Sequence, residues 1–405
     1  MLRYKRWAGN LLLVPVGLIV GTLALEIGLR LGGIEYPSFY TTDQYTGAAL
    51  IPGAEGWYRE ETDIYIRINS QGLRDREHAK AKPANTLRIA VLGDSYAAAW
   101  QVPLQSTFWA VMEQRLEKCE AVVGQDVEAI NFGISGYGTA QELNALRHRV
   151  WDYDPDIVVL AFFTGNDIRN NSRALEQDPL RPYFTYHGDE LVLDESFVES
   201  AGYRVRQTSL ARLWYSMHGY WRVLQLLSKV KNSFQVEKIA MERRAFASND
   251  VIEELGLDSM IYLEPRDPVW EEAWRVTEGI LVLMKHEVAE KGAVFLVATL
   301  SNPIQVHPDL AVRQVFIEAL GLNDLFYPDS RIKILAEREG FSVLNLAQPF
   351  QAYAEEHQVF LHGFENTTLG EGHWNVEGHR LGGQMIAQEI CSQLLNDGRE
   401  MRDGR

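Results

Sequence analysis

The chain has 405 residues, 46% of them apolar and 23% charged, which fits a packed globular protein and excludes disordered, collagen-like and multi-span membrane classes. A formal net charge of −16 argues against a basic nucleic-acid-binding face, so no nucleic-acid partner is expected. Two cysteines, Cys119 and Cys391, are too few for a disulfide scaffold or a structural four-cysteine zinc site.

At the amino end, Arg3, Lys5 and Arg6 precede an uncharged stretch from Trp7 to Leu25. As a helix it would run about 28 Å, close to the hydrocarbon thickness of a bilayer. A cleaved signal peptide is the rival reading, but Thr22-Leu23-Ala24 is a poor cleavage site and the apolar core is long. A buried core helix is the third, and the stretch shows no polar face. The anchor is preferred. Its basic flank then puts the N-terminus in the cytoplasm and the remainder outside, as a single-pass inner (cytoplasmic) membrane protein.

Residues 1–33 are thus assigned to the anchor and 34–86 to an extended arm, with one short strand expected at 63–69. Apolar runs at 87–92, 129–132, 156–163, 293–299 and 342–346 read as buried strands. Helical patterns at 104–118, 139–150, 270–291, 331–339 and 376–395 alternate with them. That order predicts an α/β fold: a flavodoxin-like three-layer α/β/α sandwich on a five-stranded parallel sheet, strand order 2-1-3-4-5. The domain comprises 87–167 and 268–398. Residues 168–267 between its halves are aromatic-rich and lack that rhythm. A structureless loop of such length is improbable, so they are assigned to an inserted cap subdomain.

Chemistry-bearing residues fall at the strand ends. Gly93-Asp94-Ser95 closes the first strand, where a serine hydroxyl can be exposed beside backbone N–H donors, although Gly, Asp and Ser also suit an ordinary turn. The glycine-rich stretch from Asn131 to Thr139 follows the second strand. Its spacing is wrong for a dinucleotide fingerprint, and a turn presenting the Gly136 N–H fits better. Thr164-Gly165-Asn166-Asp167 ends the third strand, and an asparagine there can donate to a developing oxyanion. Glu371-Gly372-His373-Trp374 precedes the last helix and offers His373 as base to the serine. A zinc set of His362, His373 and His379 lacks a helical i,i+4 pair and a nearby thiolate, so no metal is expected.

Together the four blocks resemble those of the SGNH (GDSL-like) hydrolase superfamily, in its membrane-anchored bacterial form. The resemblance covers 87–163 and 270–395. Carried over residue by residue, it implies Ser95 as nucleophile, His373 as base, and an oxyanion hole of Ser95, Gly136 and Asn166, with no cofactor. Gly370 stands where most members have the acid, three residues before the histidine. Glu371 matches a subset with an acid two residues before, which implies Glu371 as the orienting carboxylate. Asp94 is the alternative acid, though its place beside the nucleophile suits holding the turn. Arg67 to Asp75 also looks like a segment found in anchored members, with no role derivable from physics. The activity implied is that of a serine esterase forming an acyl-enzyme on an acylated carbohydrate or lipid. The alternatives are an O-acyltransferase modifying a cell-surface glycan and a non-catalytic assembly or binding protein. The strand order also brings the helices bearing Cys119 and Cys391 onto one face. A disulfide is then possible, with two separate buried thiols the preferred expectation.

Overall fold

The structure, a computed structural model, describes residues 2–231 and 258–403. Helix α1 (Leu2–Leu31) leads the chain. It is the one helix among the described residues long and apolar enough to cross a membrane, over Leu13–Leu31 with mean hydropathy 1.7. The helix thus runs past Leu25 without a break, and Glu26 and Arg30 pair across one turn at 2.7 Å.

The segment read as an extended arm folds into two hairpins, β1 (Tyr40–Asp43) with β2 (Gly47–Leu50), and β3 (Glu55–Tyr58) with β4 (Ile64–Arg67). Only β4 carries an alternation readable in advance. The other three set like residues side by side, Thr41-Thr42, Ala48-Ala49 and Trp57-Tyr58, and show no apolar–polar alternation. Phe39, Leu50, Ile66, Ile68 and Leu73 join the main core, so the arm is packed against the domain.

The central sheet holds β5 (Thr86–Gly93), β6 (Asp126–Asn131), β7 (Ile157–Phe163), β10 (Val294–Leu300) and β11 (Ser342–Asn345), all parallel. Its spatial order, β11-β10-β7-β5-β6, is the expected 2-1-3-4-5 arrangement. Period-two alternation divides the strands between two cores. Ala90, Leu92, Val158, Leu160 and Phe162 face α3 (Thr139–His148), α5 (Pro268–Glu290) and α7 (Tyr327–Glu339). Ile89, Val91, Ile157, Val159 and Ala161 face α2 (Phe108–Leu116), α8 (Ala347–His357) and α9 (Val376–Asp403). Neither core face of β7 carries a polar residue, which is why it reads as a continuous apolar run.

Helix boundaries follow their caps. The pattern at 104–118 divides into a 3₁₀ turn and α2, because the Thr107 hydroxyl accepts Ala110 N–H and starts a new helix. Helix α7 begins at Tyr327, with Pro328 in the first turn where no amide hydrogen bond is lost. Between β7 and α5 lie an antiparallel hairpin, β8 (Tyr183–His187) with β9 (Glu190–Asp194), and α4 (Ser209–Tyr220). A further helix, α6 (Leu310–Leu320), follows β10. Cys119 and Cys391 are bonded to each other, with Cα atoms 5.9 Å apart. This corrects the preferred expectation of separate thiols: α2 and α9 pack side by side on the same face of the sheet.

Candidate active site

Gly93 ends β5 in a conformation no other residue would fit. Its φ is +157°, and a Cβ would meet Ala97 Cβ at 2.8 Å and Ala161 Cβ at 3.1 Å. The chain then turns into one helical turn starting at Ser95. Asp94 caps it, its Oδ1 accepting Tyr96 N–H at 2.9 Å. Asp94 Oδ2 meets Asn166 Nδ2 at 2.9 Å and Ser95 Oγ at 3.4 Å, so one oxygen ties the β5 and β7 strand ends together. Burial raises the Asp94 carboxyl above the ordinary range, opposed by the Tyr96 and Asn166 donors. Asp94 caps the turn, and among the described residues no hydrogen bond joins it to His373.

His373 comes from the loop before α9. Its Nε2 lies 2.8 Å from Ser95 Oγ, and its Nδ1 lies 2.7 Å from Glu61 Oε1. The carboxylate that stands at the histidine is thus Glu61, in the loop between β3 and β4, and not the expected Glu371. Among the described residues no hydrogen bond or ion pair joins Glu371 to His373; its amide bonds to the Thr368 carbonyl. Gly370 and Gly372 flank it, both at positive φ, and the loop curls the histidine toward the arm. Glu61 also accepts from Gln101 Nε2 at 2.8 Å, and its second oxygen faces the His373 amide at 3.4 Å. Burial works against the Glu61 carboxylate, but these hydrogen bonds outweigh it and hold its pKa below the usual range. With Glu61 ionised, Nδ1 carries the proton and Nε2 is free to accept one.

His362 has a supporting place. It is fully buried, its Nδ1–H donating to the Gly372 carbonyl at 2.8 Å and its Nε2 facing Ser301 Oγ at 3.1 Å. Burial drives its pKa down to about 3, so the ring is neutral. Trp374 Nε1 donates to the same Ser301 hydroxyl at 2.9 Å, completing a relay that fixes the loop on both sides of His373. His379 sits within α9, where its Nδ1 accepts Phe108 N–H at 3.2 Å.

The segment 67–75 gains a role from its contacts. Arg74 is buried and donates to the carbonyls of Ala98, Ala99 and Val102, which close the turn that begins at Ser95. Asp75 accepts Asn131 N–H at 2.9 Å at the end of β6. Gly136 stands in the loop after β6 at φ +83°, and the Ile134 amide bonds back to Gly93 O at 3.1 Å. Arg181 donates to the Gly136 carbonyl from the segment following β7. Asn166 keeps its second amide hydrogen beyond the bond to Asp94.

Sequence reasoning thus located Ser95 and His373 at strand ends but missed Glu61, Gln101 and Arg74. A carboxylate in a short hairpin loop gives no local signal that it will meet a histidine far along the chain.

No family model matches the chain, and no curated protein matches its sequence. Among solved structures it is similar to a catalytic mutant of an acetylxylan esterase from Geobacillus stearothermophilus, at 12% identity and TM-score 0.37, over 75% of this chain and 93% of that one. It is also similar to a GDSL-like lipase from Bacteroides thetaiotaomicron, at 13% identity and TM-score 0.31, over 75% of this chain and 87% of that one.

Proposed function

We propose that the protein is a serine ester hydrolase working through an acyl-enzyme. The observation that carries this reading is the unbroken line from Ser95 Oγ through His373 to Glu61, with gaps of 2.8 and 2.7 Å. A serine hydroxyl needs a neutral imidazole nitrogen to take its proton. The imidazole in turn needs a carboxylate to fix its tautomer and stabilise the charge it acquires.

In the first half-reaction Ser95 Oγ attacks the ester carbonyl and its proton passes to His373 Nε2. The Ser95 and Gly136 amides, with the second Asn166 hydrogen, are the donors proposed for the oxyanion. Collapse breaks the C–O bond, and the Nε2 proton goes to the leaving alkoxide. A water then attacks the acyl-serine, His373 takes its proton, and Ser95 Oγ leaves reprotonated. One ester and one water become an acid and an alcohol.

The same reading places the domain outside the cytoplasmic membrane, held by α1. The basic residues before the span support that orientation. The bond between Cys119 and Cys391 supports an oxidising compartment. The substrate class proposed is an O-acylated glycan or lipid at that face.

The test uses the full chain in lipid nanodiscs with a nitrophenyl acetate reporter and an acetylated glycan. Ester turnover abolished in Ser95→Ala and in His373→Ala, both with unchanged melting temperature, is the expected result. Turnover retained in Ser95→Ala would overturn the reading. Adding a glycan acceptor separates hydrolysis from transfer, because only a transferase moves the acyl group onto it.

A further inference from the structure

Helix α4 is amphipathic the wrong way round for a water-facing helix. Leu210, Leu213, Trp214, Met217 and Tyr220 recur at i, i+3, i+4, i+7 and i+10, forming one stripe. That stripe would ordinarily face a core, yet Leu210 is 80% exposed, Trp214 50% and Tyr220 74%. Leu227 and Val230, in the helical residues 222–231 that follow, are exposed as well. His218 on the flank of the stripe is buried, as is Val223 in the segment that follows, while Tyr215 on the far side is 45% exposed. The helix thus touches the protein along one flank, at His218, and presents apolar and aromatic groups outward.

What covers the stripe is indicated by where it is fastened. Arg30 of α1 donates to the Tyr220 carbonyl at 2.5 Å, and Glu26 accepts the Val223 amide at 3.0 Å. The Tyr36 amide donates to Gln225 at 3.1 Å, and Arg222 pairs with Glu35. Every one of these partners lies just beyond the uncharged stretch that ends at Leu25. From Leu13 to that point the apolar side chains of α1 are exposed, Leu18 at 67%. Glu26 to Leu31 spans about 7.5 Å along the helix, within the depth of a headgroup layer. Trp and Tyr on an amphipathic helix at that depth are the side chains a membrane interface favours.

We propose that α4 and the helical residues 222–231 lie in the lipid headgroup layer around the exit of α1, giving the protein a second, monotopic membrane contact. This rests on α1 being a retained anchor. The contact also reaches the candidate site: Lys229 pairs with Glu60 at 3.0 Å, next to Glu61. The hairpin loop that supplies the acid is therefore fastened to the same seat, which holds the site at the bilayer surface.

The test places single nitroxide labels on the full chain in phosphatidylethanolamine and phosphatidylglycerol vesicles, at Leu213→Cys, Tyr220→Cys, Leu18→Cys and Leu310→Cys. The native cysteines are bonded to each other and do not compete. Leu310 is 65% exposed on α6 and serves as the water-facing control. The oxygen-to-nickel-chelate accessibility ratio at 213 and 220 should exceed that at 310 several-fold and approach that at 18. Labels at 213 and 220 as open to nickel as 310, with 18 in lipid, would overturn the seat and leave the anchor standing. A mature chain lacking residue 18, or a label at 18 open to nickel, would overturn the anchor and the seat together. Labels at 213 and 220 shielded from both probes, with dipolar broadening between copies, would give the stripe to a second copy and likewise overturn the proposal.

Discussion

Glu61 and His373 stand 312 residues apart in the chain and meet at 2.7 Å. The acid of the proposed triad belongs to a hairpin that precedes the α/β domain, not to the loop that carries the base. Removing its charge while keeping its shape leaves the serine and the oxyanion donors in place. Glu61→Gln should lower kcat by ~10²–10⁴ with little change in KM, while Glu371→Gln stays near wild type. Steady-state kinetics on the two variants, side by side, decide between the two carboxylates.

The sheet was legible because its central strands are buried on both faces and end at turn residues, as Leu92-Gly93 and Phe163-Thr164-Gly165 do. Ser95 and His373 were legible only together: each block alone suits an ordinary turn or loop, and it was the resemblance of all four blocks to one superfamily that singled them out. Glu61 was not, since it lies in a hairpin loop outside any strand and its partner His373 is far along the chain. Arg74 stood out only as part of the Arg67 to Asp75 segment, with no role derivable from physics. Only the fold shows that it is buried against three carbonyls. The Cys119–Cys391 bond was half legible, since strand order put both helices on one face but could not set the distance between them.

Arg74 holds the carbonyl end of the nucleophile turn, and burial pulls its pKa down to about 9. Arg74→Met should leave those three carbonyls without their donor and cost about 2–4 kcal/mol in stability. Denaturant unfolding of the full chain in detergent measures it. A change below ~0.5 kcal/mol would mean the turn is held by other bonds.

Glu142 is fully buried beneath the site, and neither of its carboxyl oxygens has a hydrogen-bond partner among the described residues. Burial, together with the Asp94 charge, raises its pKa well above the ordinary value; Asp167 beside it is raised for the same reasons. A raised carboxyl contributes stability below the ordinary carboxylate pKa, and that contribution is lost as pH rises toward the folded value. Glu142→Gln removes the loss, so the variant's melting temperature should gain on wild type as pH climbs above ~4.3. Glu61 has the opposite sign: its lowered pKa contributes stability above the ordinary value, lost as pH falls through the folded one. Melting curves across pH 4 to 9 would show the Glu142→Gln gap widening; a constant gap would contradict the assignment.

The Cys119–Cys391 bond closes a sequence separation of 272 residues. Replacing both cysteines by serine should cost about 2–5 kcal/mol. In native membranes neither thiol should react with maleimide until a reductant is added. Free thiols in unreduced membranes would argue against both the bond and the oxidising compartment.

The central claim is that Ser95 is a nucleophile activated by a histidine that Glu61 holds. Its most direct test is the rate of fluorophosphonate labelling of the full chain, with the modified residue mapped by mass spectrometry. Labelling should fall on Ser95, at a rate reduced by ~10²-fold or more in Glu61→Gln and unchanged in Glu371→Gln. No adduct on Ser95, or equal rates in the wild type and Glu61→Gln, would contradict it.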